Sequence, residues 1–328
     1  MTTVVLATAT GLGLGILMSR GKVCFNAGVR RAFFSRDSTI LRVFAFAVAV
    51  QLLLMPLLIA LGVSPLEANV DAGSPALLPV SQLIGGLTFG VGMALAGGCI
   101  TGILWKAGAG SVAVAIAIVG FVIGELVIRG PLESVITSLD DAASPAEGAI
   151  PELTGLPYAP LALVLGVLGL ILLARRSRAG FALGAGFGVI AALAWVAADL
   201  SDYGYGLGFV GGADSTREAI ASGGPIPFQL FLAVGVLAGG AVAIRGPLRL
   251  PDGARAGRAL GGGVLMGLGG NLAHGCNIGH GVTGVPLLSL GSLLTVTAMA
   301  SGAFLTWRYL LGPHARLRGA ERPEAPGW

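Results

Sequence analysis

Three cysteines, Cys24, Cys99 and Cys276, are the only thiols in a chain of 328 residues, and each stands at a glycine-rich corner. Cys24 comes nine residues after Gly15, Cys99 nine after Gly90 and Cys276 nine after Gly267; Gly92 and Gly269 complete a Gly-x-Gly in the last two. Gly102 and Gly279 follow their cysteines by three. A fourth copy, Gly186-Phe-Gly188, has Trp195 where the cysteine would fall. The thiolate is the nucleophile and metal ligand, whereas a thiol kept from water is only a weak donor and acceptor. An odd count with no Cys-x-x-Cys pair offers neither a disulfide framework nor a redox dithiol.

Other polar residues crowd the same corners. His274 and His280 flank Cys276, and two readings stay open for both: entrance or gate cations, or core histidines with satisfied ring nitrogens. Two His and one Cys within seven residues match no zinc spacing, so neither a metal nor a cofactor is expected. Lys22 and Lys106, the only lysines, sit beside corners, either to draw an anion through or as topogenic charges. Asn26 and Asn277 follow Cys24 and Cys276 closely, where they either orient substrate oxygens or tie helices together. Gly98 and Gly275, each immediately before its cysteine, belong to the same candidate path.

These residues need a frame, and composition says which kind. The chain is 55% hydrophobic and 11% charged, with 55 glycines and a mean hydropathy of +0.87. No soluble domain of this size hides so much apolar surface, so the solvent is lipid, where abundant small residues let helix backbones touch. A net charge of +4 invites a nucleic-acid reading. The placement of the charges excludes it.

Nine apolar segments, near 3–19, 40–62, 81–98, 111–129, 158–174, 180–199, 226–244, 258–275 and 288–311, each approach the ~20 residues that cross a bilayer core. With the N-terminus outside, eighteen of the twenty basic residues fall on the cytoplasmic side. Arg129 and Arg217 are the exceptions, and the outer loops carry acidic residues such as Glu67, Asp140, Glu147 and Asp202. The positive-inside rule thus predicts N-out and C-in. Arg20 and Lys22 follow the first apolar run instead of preceding it, the reverse of a secretory signal peptide.

In that topology the Cys24 and Cys99 corners end spans one and three at the cytoplasmic side, and the Trp195 and Cys276 corners end spans six and eight outside. Related segments entered from opposite faces suggest an inverted repeat. The expected fold is an all-α integral membrane protein of nine transmembrane helices plus about four short re-entrant helices, with pseudo-two-fold inverted repeats. The halves are 1–157 and 175–312, joined by span 158–174 and followed by a cytoplasmic tail, 313–328. The stretches 24–36, 99–110 and 276–288 are too short to span, and re-entrant helices are tolerated only inside protein or along a cavity; 214–222 is the expected fourth. Small-x-x-x-small pairs such as Gly11/Gly15, Gly86/Gly90, Gly184/Gly188 and Gly263/Gly267 mark the four corner-bearing helices as closely crossing.

A helix that starts after such a corner aims unpaired N–H groups, worth about half a positive charge, into the protein. Helix ends plus thiols would hold a soft, sulfur-bearing anion briefly and release it, as conduction requires. The Gly-Cys-Asn-Ile-Gly-His run at 275–280, Gly-Gly-Cys-Ile-Thr-Gly at 97–102 and Cys-Phe-Asn at 24–26 resemble the YeeE/YedE family of bacterial sulfur transporters. The resemblance covers essentially the whole chain. It implies uptake of thiosulfate, with Cys24, Cys99 and Cys276 as the substrate-contacting thiols, passing cargo by S–H···S contacts without disulfides. It also implies a cytoplasmic sulfurtransferase-like partner and no enzymatic activity. Three rivals remain: a less selective channel or transporter for another sulfur or selenium species, a membrane thiol oxidoreductase using Cys99 and Cys276, and a metal importer.

Overall fold

Glycine, proline and short polar runs cut the apolar sequence into helices, with no strand among the described residues. The computed structural model describes residues 2–73, 75–142 and 148–312. Glu147, the side chain of Arg129 and the expected 313–328 tail with Arg316, Arg318 and Arg322 lie outside them.

The helices are α1 (Thr2–Arg20), α2 (Phe25–Phe34), α3 (Thr39–Ala60), α4 (Ser64–Asp71), α5 (Pro79–Ala96), α6 (Ile100–Gly108), α7 (Val112–Arg129) and α8 (Glu133–Asp140). They continue with α9 (Ile150–Thr154), α10 (Tyr158–Arg176), α11 (Phe181–Asp199), α12 (Gly212–Ser222), α13 (Phe228–Ala243), α14 (Gly253–Leu272) and α15 (Leu290–Leu305). Gly279–Gly284 and Thr306–Leu310 are π-helical turns. Starts follow local chemistry: Asp252 and Ser289 cap α14 and α15 by accepting from the Arg255 and Ser292 amides, and Pro79 opens α5.

Each apolar segment read from the sequence overlaps one of the longer helices, but fewer than the nine expected spans meet the length and hydropathy of a membrane crossing. Six helical runs are long and apolar enough to cross a membrane: Thr2–Phe34, Thr39–Ala60, Pro79–Gly108, Tyr158–Arg176, Phe181–Asp199 and Leu290–Leu310. A seventh candidate is α7 with α8, bent by 71°. Helix α13 is apolar but only 16 residues long; α14 opens with Arg255 and Arg258, which dilute its hydropathy.

Packing is backbone against backbone. Gly11 and Gly15 of α1 meet Leu232 and Val236 of α13, and Gly235 and Gly239 return the contact. Gly120 and Gly124 of α7 interlock with Gly263 and Gly267 of α14, and Gly85 and Gly92 of α5 abut α14. Gly90 and Gly302 close the seam between α5 and α15. At each of these glycines an added Cβ would collide with a neighbouring main chain.

Helix ends tell where the corners fall. Lys22 (φ 50°), Gly97 (φ 81°), Asp202 (φ 52°) and His274 (φ 58°) take the left-handed conformation just past α1, α5, α11 and α14. Three share one closure: the Lys22 amide donates to Ser19 O and the Val23 amide to Met18 O, and His274/Gly275 and Asp202/Tyr203 repeat it. At α5 the Gly98 amide makes the corresponding bond to Met93 O. In the three cysteine copies the left-handed residue comes seven positions after the first repeat glycine. The matching residue of α11 is Leu193, which stays helical, so α11 runs on to Asp199. The expected corner at Trp195 is therefore displaced, and Trp195 is a buried residue inside α11.

The Cys24 and Cys99 corners also differ from expectation, since each falls inside one long helical run, Thr2–Phe34 and Pro79–Gly108, instead of ending a span before a re-entrant helix. Gly262, nine residues into α14, packs on Ala96, while Gly108 packs on Leu237 and Ala241 of α13. Helix α6 thus carries on toward the end marked by the Ser111–Arg249 bridge, and Pro79–Gly108 is one broken run of 30 residues. The left-handed Gly97 stops α5 inside the protein, and α6 restarts after Cys99.

Candidate functional site

Cys24 and Cys99 occupy equivalent places, each the N-cap of a short helix, α2 and α6, with extended backbone and no side-chain cap bond. Their sulfurs lie 3.8 Å apart, both thiols are free, and Cys99 also stands 3.5 Å from Thr101 Oγ1. A disulfide needs about 2.05 Å, so this is a thiol–thiol contact. Gly102 makes it possible: a Cβ there would lie 2.6 Å from Cys24 Sγ and 3.3 Å from Cys99 Sγ. Trp105 donates its indole N–H to Val23 O (3.2 Å), tying the two corners together.

Lys106 is buried with its Nζ 2.9 Å from Gly97 O, two residues before Cys99, and 5.7 Å from the Trp105 ring centroid. Lys22 sits two residues before Cys24 in a left-handed turn. Gly98 packs on Ile103 and lets α6 begin without a side chain in the way.

The third thiol is deeper toward the other end. Gly85 packs against Leu272 and Ala273, whereas Ala96 packs against Gly262. Those registers are eleven residues apart on α5, about 17 Å at helical rise. Cys276 is fully buried, accepts the Gly279 amide (3.4 Å) and lines a cavity of about 120 Å³. Tyr203, Tyr205, Phe209, His274 and His280 line it too. Tyr205 donates its hydroxyl to Gly279 O (3.0 Å), and Thr283 donates to Leu207 O (2.8 Å), pinning the 200–211 loop to the π-helical turn. Burial raises both phenols of the loop above the ordinary tyrosine range, so they stay protonated.

The two histidines part ways. His280 is a core residue: Nε2 donates to Ala273 O (2.8 Å) and Nδ1 accepts from Ser292 Oγ (3.1 Å). Gly275 is needed for this, since a Cβ there would lie 2.7 Å from His280 Nε2. His274 is partly exposed, with Nε2 3.0 Å from both oxygens of Asp140.

The asparagines also diverge. Asn26 ties helices, donating to Met93 O (3.0 Å) and accepting from the Trp307 indole (3.0 Å). Asn277 is fully buried, and neither its amide nitrogen nor its oxygen has a partner. Glu125, buried in α7, accepts from the Gly211 (2.6 Å) and Ala213 (3.0 Å) amides, so the start of α12 is held by an internal carboxylate. Among the described residues no three His, Cys, Asp or Glu side chains converge as metal ligands.

Tyr203 and Tyr205 were not among the residues singled out from the sequence, and Asp140 was read there only as an acidic residue of an outer loop. One signal for the tyrosines was available: 203–208 reads Tyr-Gly-Tyr-Gly-Leu-Gly in a chain with four tyrosines. Asp140 left none, being 134 positions from His274.

Apolar helices welded through glycine and broken inside the protein at buried free thiols define a multi-pass helical membrane protein. The chain belongs to the sulphur transport family, which it matches over residues 20–185 and 180–305. It is similar to the thiosulfate transporter TsuA of Spirochaeta thermophila, 30% identical over 311 residues that cover 87% of this chain and 92% of that one. Against the thiosulfate transporter TsuA of Escherichia coli the identity is 26% over 94% of this chain and 95% of that one. A probable transporter, YedE of Salmonella typhimurium, is 34% identical over 33% of this chain and 25% of its own length.

Proposed function

We propose that the protein carries thiosulfate across the bacterial inner membrane along a track lined by Cys276, then by Cys24 and Cys99. The observation that carries this reading is the pair of free thiols 3.8 Å apart at the uncapped starts of two short helices. Helix starts favour anions, and a thiol contacts a terminal sulfur without taking a bond from it. The names of the two full-length relatives support thiosulfate as cargo.

In this reading the longer helices make nine spans, N-out and C-in, with 1–157 and 175–312 as inverted halves about span 158–174. The shared closure of α1, α11 and α14 supports related halves. Cys276 lies on the outer side, Cys24 and Cys99 toward the cytoplasm, and Asn277 offers its unpartnered amide to substrate oxygens next to the outer thiol. A dianion moving inward against 100 mV costs about 4.6 kcal/mol. Consumption by a cytoplasmic sulfurtransferase-like partner offsets it, without enzymatic chemistry in this chain.

The test is uptake of labelled thiosulfate into proteoliposomes, competed by sulfate and sulfite. Selective uptake by the wild type and its loss in Cys99→Ala and Cys276→Ala are expected. Equal flux of all three anions abandons the reading in favour of an unselective channel. A thiol oxidoreductase gains one specific argument, the nearness of Cys24 to Cys99; a Cys24–Cys99 disulfide trapped during turnover would favour it.

A further inference from the structure

The mouth of the cavity beside Cys276 holds a charge arrangement that a thiol track alone does not require. His274 ends α14 in the left-handed region, at φ 58°, where glycine fits without steric cost. A chain with 55 glycines nevertheless places a histidine there. Its Nε2 lies 3.0 Å from both oxygens of Asp140, the last residue of α8. Among the described residues no lysine or arginine lines the cavity. The His280 ring is occupied on both nitrogens, and the Tyr205 hydroxyl donates to Gly279 O. His274 is therefore the cavity-lining residue whose ring N–H already faces an anion, Asp140, which itself stands outside the lining.

The geometry points to His274 as the receptor for the oxyanion end of the substrate, with the Asp140 carboxylate as a resident stand-in that the incoming anion displaces. This inference rests on the thiosulfate reading above. Exchange of one anion for another keeps the His274 N–H satisfied throughout, so neither state leaves a bare donor at the mouth. Asp140, partly exposed at the tip of a short helix, returns to water when released. With the oxyanion end held at His274, the sulfur end faces Cys276 in the same cavity. The arrangement orients the cargo sulfur-first and penalises anions lacking a soft terminus. It also sets a threshold for weak anions, which must outcompete Asp140 before they enter.

Initial rates of thiosulfate uptake in proteoliposomes test the exchange. Asp140→Asn is expected to lower KM about fivefold, and His274→Gln to raise it by a similar factor, with maximal rates within about twofold of wild type. The double variant should behave as His274→Gln alone, because Asp140 acts through that ring. An unchanged or raised KM in Asp140→Asn overturns the exchange, as does an unchanged KM in His274→Gln. Lower melting temperatures in both variants with KM untouched would make the pair a structural clasp and likewise overturn it. Wild-type protein that moves no thiosulfate would instead bring down the transport reading on which the exchange stands.

Discussion

Two asparagines in comparable sequence settings do different things, and only contacts reveal it. Asn26 is consumed by Met93 and Trp307, while Asn277 is buried with its amide unanswered. An unsatisfied buried polar group costs ~1–3 kcal/mol, so Asn277→Leu should raise the melting temperature while lowering thiosulfate uptake. A variant that gains stability and keeps full uptake would show that the amide serves neither purpose. Gly102 yields a second expectation. An alanine methyl there presses on both Cys24 and Cys99, so Gly102→Ala should part the thiols and slow uptake about tenfold, ~1.4 kcal/mol at the barrier, with the fold intact by size-exclusion and circular dichroism. The thiols were legible in the sequence because cysteine is rare there and recurs at one spacing. The pairing of Asp140 with His274 was not, since the two stand 134 positions apart and no periodicity links them, and the loop tyrosines left only their Tyr-Gly-Tyr-Gly-Leu-Gly run as a sign.

Helices were readable from hydropathy, and their breaks only in part. A glycine followed nine residues later by a cysteine or a tryptophan described four copies, yet the chain breaks at that register in only three. What ends a helix is a left-handed turn at the right place, and Leu193 in α11 does not take one. The same limit hid the nature of the Cys99 corner. Sequence spacing gives the length of α6 but not that it extends the run of α5. At this scale Glu125 explains how α12 is held: two backbone amides donate to its carboxylate across 86 and 88 positions. Glu125→Ala orphans both donors and should destabilise the protein by ~1–3 kcal/mol, read as a lower melting temperature in detergent. Unchanged melting would mean that water or another acceptor takes over.

Across the molecule, the contacts between α1 and α13, α7 and α14, and α5 with α14 and α15 are made by main chain on main chain. Composition announced such seams through the sheer number of glycines, but which helices they join depends on register. Helices meeting this closely cannot slide by even a methyl's width without collision. A covalent cross-link between α1 and α13 is therefore expected to leave the uptake rate unchanged, and loss of most of the rate would reveal relative movement of those helices.

Seams of this kind leave the helices they join no room to slide past one another. Whatever opens must be small and local, such as a side chain swinging aside or a loop lifting at a mouth. Thermal activation of the flux should then be shallow, climbing with temperature about as gently as an ion's drift through water. The steep rise of a carrier that refolds its interior at every cycle should not be seen.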